Sequence, residues 1–197
     1  MKSLRDTKTA ENLLKAFAGE SQARNRYTFY SSIAGKEGFI QIKNIFLETA
    51  DNEKEHAKIF YKLLLEGFEG NLPASVELTA EYPVAQGTTL DNLEAAASGE
   101  NEEWSRLYQS FANTAEEEGF NEVARTFKLI ATVEKNHEAR YKKLAQDVSS
   151  NTVFEKDGKV YWKCNNCGYI HEGNSAPDKC PACQHPQGYF EVFVENY

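Results

Sequence analysis

The chain has 197 residues, with 30 Asp and Glu against 22 Lys and Arg and a net charge of −8, long enough for one sizeable core and a small second module. The acidic balance disfavours nucleic acid or an anionic membrane surface as a partner. No apolar run reaches the length of a membrane span, and Met1-Lys2-Ser3-Leu4 leads into polar sequence rather than a signal peptide.

Four long helical patterns come first. The opening one sets Leu13, Ala16, Glu20, Ala23, Tyr27, Tyr30 and Ala34 on one face. A short turn follows at Gly35 to Gly38. The second pattern runs Phe39, Ile42, Phe46, Thr49, Glu53, His56, Phe60 and Leu63 in unbroken 3-4 alternation. Residues 67–89, with Gly67, Gly70, Pro73, Pro83 and Gly87, read as a long crossover. The third pattern gives Leu93, Ala96, Glu100 and Glu103, then Tyr108, Phe111 and Ala115, and turns at Glu118-Gly119. The fourth gives Val123, Phe127, Ile130, Glu134, His137, Tyr141 and Leu144. Short, long and short connections predict a mainly α fold, a ferritin-like four-helix bundle over residues 1–148.

The bundle is an internal repeat. Glu53 and His56 match Glu134 and His137 at an offset of 81, and Gly19-Glu20 matches Gly99-Glu100 at 80. Tyr27 and Tyr108, and Glu37-Gly38-Phe39 and Glu118-Gly119-Phe120, return to 81. The third helix therefore carries one extra residue between Glu100 and Tyr108. Helices absorb a single insertion as a π-bulge, often at a functional site, which predicts one within 101–108. Glu103 falls there, opposite Ala23 of the first half.

Helical periodicity stops near Ser149-Ser150-Asn151, and residues 149–153 read as a linker. Short strands are expected at Val153-Phe154, at Val160 to Trp162 and at Tyr189 to Val194. Residues 154–197 form a second module too small to hold together without a metal.

Glu and His three apart on a helix point the same way, and here they occupy seam positions where the pattern asks for apolar side chains. A buried charge is costly unless paired or bound to metal. Two such turns facing each other, with a Glu from each of the other two helices, make a box for two metal ions. Glu20, Glu53, Glu100, Glu103 and Glu134 offer five carboxylates, and His56 and His137 two imidazoles; that donor set suits iron or manganese. Glu102 and the acidic run 116–118 read as solvated surface charge. Tyr27 and Tyr108 suit either hydrogen bonding to ligand carboxylates or core packing, and Trp104 reads as packing or interface.

All four cysteines lie in two C-x-x-C pairs, Cys164 with Cys167 and Cys180 with Cys183. The spacing predicts a tetrahedral thiolate cage for zinc or a single iron. Without a secretion signal it reads as a metal site in a reducing, cytoplasmic setting. Tyr161, Trp162, Tyr169 and Phe190 are expected around the cage. His171 and His185 are not needed as ligands.

With Gly19-Glu20, Glu53-x-x-His56, Gly99-Glu100-x-x-Glu103, Glu134-x-x-His137 and the four cysteines in place, the whole chain resembles the rubrerythrins. These join a ferritin-like di-iron bundle to a rubredoxin-like domain with one iron on four thiolates. The resemblance implies that Glu53 and Glu134 bridge two irons. Glu100 and His137 then hold one iron, and Glu20 the other with either Glu103 or His56. It departs from free-standing rubredoxins in having Gln184 after Cys183, where they usually have Gly, and in a shorter gap between Cys167 and Cys180. The implied activity is reduction of hydrogen peroxide to water, fed through the thiolate-bound iron by an external pyridine-nucleotide-dependent reductase. No Gly-rich nucleotide fingerprint is present in the chain itself. A homodimer is expected, one chain's cysteine module serving the other's bundle, with helix exchange left open. The alternatives are a ferroxidase or iron-handling protein, and a binding protein with a zinc ribbon.

Overall fold

The computed structural model describes residues 2–196. Helix α1 spans Lys8–Lys36, α2 Ile40–Gly67, α3 Thr89–Glu102, α4 Tyr108–Glu117 and α5 Asn121–Ser149. A π-helical stretch, Glu103–Leu107, joins α3 to α4 in one continuous rod, which is the expected place for the inserted residue. The bundle thus has four rods: α1, α2, α3–α4 and α5. None of the described helices is long and apolar enough to cross a membrane.

Local chemistry sets the rod ends. The side chain of Thr7 accepts from the Ala10 amide at the start of α1, and Thr88 with Asp91 forms a reciprocal capping box at the start of α3. Gly38 and Gly119 close the two short turns at φ +87 and +83, a region where a side chain is strained. Glu118 corrects the surface reading of the acidic run. Its carboxylate accepts from the backbone amides of Lys8 and Thr9 and from the Thr9 hydroxyl, capping the first turn of α1. Its repeat counterpart Glu37 accepts from the Thr89 amide at the start of α3. Each half of the bundle therefore caps the other.

Two aromatic clusters fill the core, and each is the repeat image of the other. Tyr27, Tyr30, Phe46 and Tyr141 pack with ring centroids 5.2–6.1 Å apart. Tyr108, Phe111, Phe127 and Phe60 do so at 5.0–6.3 Å. Rings of this size bury enough apolar surface to dominate core energetics. Between the two clusters lies a layer of buried Glu and His.

The C-terminal module is a three-stranded antiparallel sheet, β1 Glu155–Cys164, β2 Ile170–Ser175 and β3 Phe190–Val192, in the order β2-β1-β3. Strand β2 reads His-Glu-Gly-Asn-Ser after Ile170 and carries no sequence signal of its own; pairing with β1 imposes it. Phe154 precedes β1, and a 3-10 turn at Gln187–Tyr189 precedes β3. The module rests on the α1–α2 turn, where Phe39 stacks on Phe154 at 6.1 Å. A Cβ on Gly188 would meet the Gly38 carbonyl oxygen at 2.0 Å, so only glycine permits this approach.

Candidate metal centres

The 3-4 seam of α2 carries Glu53 and His56 inward, and that of α5 carries Glu134 and His137. α1 supplies Glu20 and α3 supplies Glu100. All six are buried, none more than 8 % exposed. His56 Nδ1 lies 2.8 Å from Glu53 Oε2 and 2.9 Å from Glu134 Oε1. His137 Nδ1 lies 2.8 Å from Glu134 Oε2 and 3.2 Å from Glu53 Oε1. Glu53 and Glu134 thus each direct one oxygen to each imidazole. Glu20 approaches His56 at 3.9 Å, and Glu100 approaches His137 at 3.8 Å. Two four-residue ligand sets result: Glu20, Glu53, His56 and Glu134, and Glu53, Glu100, Glu134 and His137. They share the two central carboxylates.

Glu20 Oε2, Glu53 Oε1, Glu100 Oε2, both Glu134 oxygens and His137 Nδ1 are buried with no well-directed hydrogen bond, and only the crowded carboxylate–imidazole approaches occupy them. Burial, and then the carboxylates of Glu134, Glu103 and Glu53, push Glu20 well above the usual carboxylate range. Burial and Glu53 bring Glu100 up to about 8. Burial alone would depress the imidazoles, but hydrogen bonds to Glu134 and Glu53 outweigh it and lift His56 to about 10. The same contest, with Glu100 added, pushes His137 up to about 12. Burial raises Glu53 too, yet the two imidazoles pull it below its ordinary value. Carboxylates crowded out of water and left with open lone pairs are a cation site. Their oxygen and imidazole donors fit a di-iron centre.

Of the remaining sequence candidates, both tyrosines reach a ligand. The Tyr27 hydroxyl donates to Glu100 Oε1 at 2.5 Å, and the Tyr108 hydroxyl donates to Glu20 Oε1. The pairing is crosswise between the halves. Burial and the adjoining carboxylates raise both phenols well above their ordinary value, which keeps them as donors. Glu103 belongs to neither ligand set. It sits on the π turn, partly exposed, with Oε1 3.9 Å from where a Cβ on Gly19 would lie. Burial and the Glu100 charge hold its carboxyl well above the usual range. Glu102 points outward and pairs with Arg106. Glu138 carried no sequence signal. It is a buried carboxylate next to His137 that accepts from Asn101 and Trp104. Asn101 and Trp104 lie 37 and 34 residues away, so only tertiary structure could reveal that pairing.

The four cysteines converge as expected. Cys164 and Cys183 sulfurs lie 3.7 Å apart, and Cys167 and Cys180 sulfurs 3.6 Å apart. A tetrahedral cage with metal–sulfur bonds of about 2.3 Å has edges of about 3.8 Å, whereas a disulfide is about 2.05 Å. The separations fit one iron on four thiolates. The knuckle amides of Gly168 and Gln184 donate to the carbonyls of Cys164 and Cys180 at 2.8 and 2.9 Å. Trp162 and Phe190 are buried against the cage and Tyr169 partly so, but Tyr161 is 54 % exposed. Strand alternation turns Tyr161 outward when Trp162 points in. His185 meets Tyr189 edge-to-face, with ring centroids 4.5 Å apart.

The rubrerythrin family model matches residues 11–145 of this chain, and that of the rubrerythrin rubredoxin-like domain matches residues 162–191. Rubrerythrin-1 of Clostridium acetobutylicum is 63 % identical, with 100 % of both chains covered. Nigerythrin in its fully reduced, all-ferrous state superposes with a TM-score of 0.62 at 31 % identity, covering 98 % of this chain and 92 % of that one. Desulfovibrio desulfuricans bacterioferritin, whose structure describes a diiron site, shares the bundle fold at 22 % identity and a TM-score of 0.64, over 74 % of this chain and 82 % of its own.

Proposed function

Because the chain belongs to the rubrerythrin family, an iron-binding, oxidoreductase-type family, we propose that it is a non-haem peroxidase. It reduces hydrogen peroxide to two waters with two electrons and two protons, as a defence against oxidative stress. The observation that carries this reading is the division of the Glu53 and Glu134 oxygens between His56 and His137. That arrangement suits two bridging carboxylates under a two-electron site. A bound iron pair supplies both electrons to one substrate molecule.

The chain's own residues do the rest. Glu53 and Glu134 would be shared by both metal positions, Glu100 with His137 would complete one, and Glu20 with His56 the other. Glu103, outside both sets on the π turn, would be the alternative ligand to His56. Tyr27 and Tyr108 fix the rotamers of Glu100 and Glu20 by hydrogen bonding. Carboxylates at the centre are the groups at hand to hand protons to the departing oxygens.

Cys164, Cys167, Cys180 and Cys183 would hold the iron whose one-electron chemistry re-supplies the centre. The cysteine module rests on the turn before α2, and His56 lies 17 residues along that helix from Phe39, about 25 Å at 1.5 Å per residue. That separation favours a homodimer in which one chain's module serves its partner's bundle. An external reductase in a reducing cytoplasm, which keeps the cysteines as thiols, is the electron source. The test is anaerobic rapid mixing of fully reduced protein with hydrogen peroxide, and separately with oxygen, while the Fe(III)–thiolate absorbance is followed. Fast recolouring with peroxide and slow recolouring with oxygen is expected. Faster recolouring with oxygen would move the reading to a ferroxidase.

A further inference from the structure

The two halves of the bundle differ most at the π turn. In the second half Glu138 of α5 faces it, and at the corresponding place in the first half is Ala57. Glu138 is only 5 % exposed. Its Oε2 accepts from Trp104 Nε1 at 2.5 Å, and its Oε1 accepts from Asn101 Nδ2 at 3.0 Å and from Lys142 Nζ at 2.5 Å. Asn101 lies in the last turn of α3 and Trp104 within the π segment, so the two donors straddle the start of that segment. Lys135 of α5 lies over the Trp104 ring at 5.1 Å, adding a cation–π contact from the same helix. A π segment is a rare interruption of an α-helix, usually a single bulged turn. Here its register is tied to the helix that carries Glu134 and His137.

The geometry points to Glu138 as a positioning residue: through Trp104 and Asn101 it locks the π turn onto α5 and thereby sets where the Glu103 carboxylate stands relative to the metal centre. The inference rests on the proposed function only in giving Glu103 a role there; the lock itself does not depend on it. A carboxylate is required because both oxygens accept. A Gln at 138 must turn its NH2 toward either the indole N–H or the pair Asn101 and Lys142, setting donor against donor. Loss of one such buried bond leaves its partner unsatisfied.

Two variants test this, Glu138→Gln and Trp104→Phe, the second keeping an aromatic ring beside Lys135. The readout is amide hydrogen exchange of peptides covering 103–107, measured on the metal-loaded full chain. Exchange there is expected to accelerate about tenfold in both variants while α1 and α2 peptides stay unchanged. Unchanged exchange at 103–107, or equal acceleration throughout the bundle, would overturn the lock and leave Glu138 a packing group. Peroxide turnover adds a coupling readout: the effect of Trp104→Phe should disappear in a Glu103→Gln background. An undiminished effect there would overturn the claim that the lock acts through Glu103. If Glu103→Gln alone leaves turnover unchanged while exchange at 103–107 still accelerates, the lock stands. In that outcome it is the proposed ligand role of Glu103 that fails.

Discussion

The bundle centre and the cysteine cage solve opposite problems. The centre sits inside a fold that stands without it: two aromatic clusters and four rods of regular helix enclose a layer of charge that costs stability. The cage has almost no fold behind it. Its core is Trp162, Cys164, Ala176, Cys180 and Phe190, so two of five core side chains are themselves ligands. In one region the fold carries a site that costs it stability; in the other the small core calls for a metal to hold it together.

The largest effect should fall on the cage. Cys180→Ser removes a buried ligand, and structural metal binding in small thiolate modules is worth about 10–16 kcal/mol in apparent free energy. The near-ultraviolet signature of buried Trp162 should vanish while the far-ultraviolet helical signal stays. A variant that keeps the Trp162 signature would show that the module folds on its own apolar core.

The opposite sign is expected at the centre. Glu20→Gln retains an acceptor for Tyr108 but removes a charge that burial and like neighbours disfavour. The metal-free bundle should gain more than about 1 kcal/mol at neutral pH while metal affinity falls at least tenfold. Because the folded carboxyl titrates above its unfolded value of about 4.3, the gain is absent below about pH 4 and grows as pH rises. Chemical denaturation of the metal-free protein at pH 3.5 and pH 7.5 checks the sign.

A smaller effect separates the repeat's two images. Tyr108→Phe and Tyr27→Phe each delete one hydrogen bond to a ligand carboxylate, costing about tenfold in affinity at that position. Metal titration should find the two losses within a factor of about three, since the crosswise pairs are related by the repeat. A wider gap would show that the π turn has broken the equivalence of the two positions.

The smallest concerns a helix end. Glu118→Gln should cost about 1 kcal/mol at pH 7. Burial raises the Glu118 carboxyl, but its bonds to Thr9 and Lys8 prevail and hold it below its ordinary value. Its stabilisation is therefore present above about pH 4.3 and lost as pH falls through the folded value. Variant and parent should converge in urea melts near pH 2.5.

Sequence periodicity reached most of the bundle because the same seam that buries Phe46 and Phe127 also buries Glu53 and Glu134. A slip from offset 80 to 81 between Glu100 and Tyr108 was enough to place the π turn. Interactions that depend on which helices meet stayed out of reach. Glu118 looked like one more charge in an acidic run until α1 arrived above it, and Glu138 went unmarked because its partners Trp104 and Asn101 come from another helix. Strand β2 was hidden for a related reason: pairing with β1, not its own residues, makes it a strand. Tyr161 and Trp162 shared a composition argument that alternation then divided between outside and inside.

The crossed tyrosines have a consequence for assembly. Tyr27 grips a ligand of the opposite hairpin, and Tyr108 returns the grip. Neither hairpin, cut at the exposed crossover, keeps its own carboxylate oriented. The two pieces are therefore expected to be complementary fragments, each supplying the other's missing clamp when mixed.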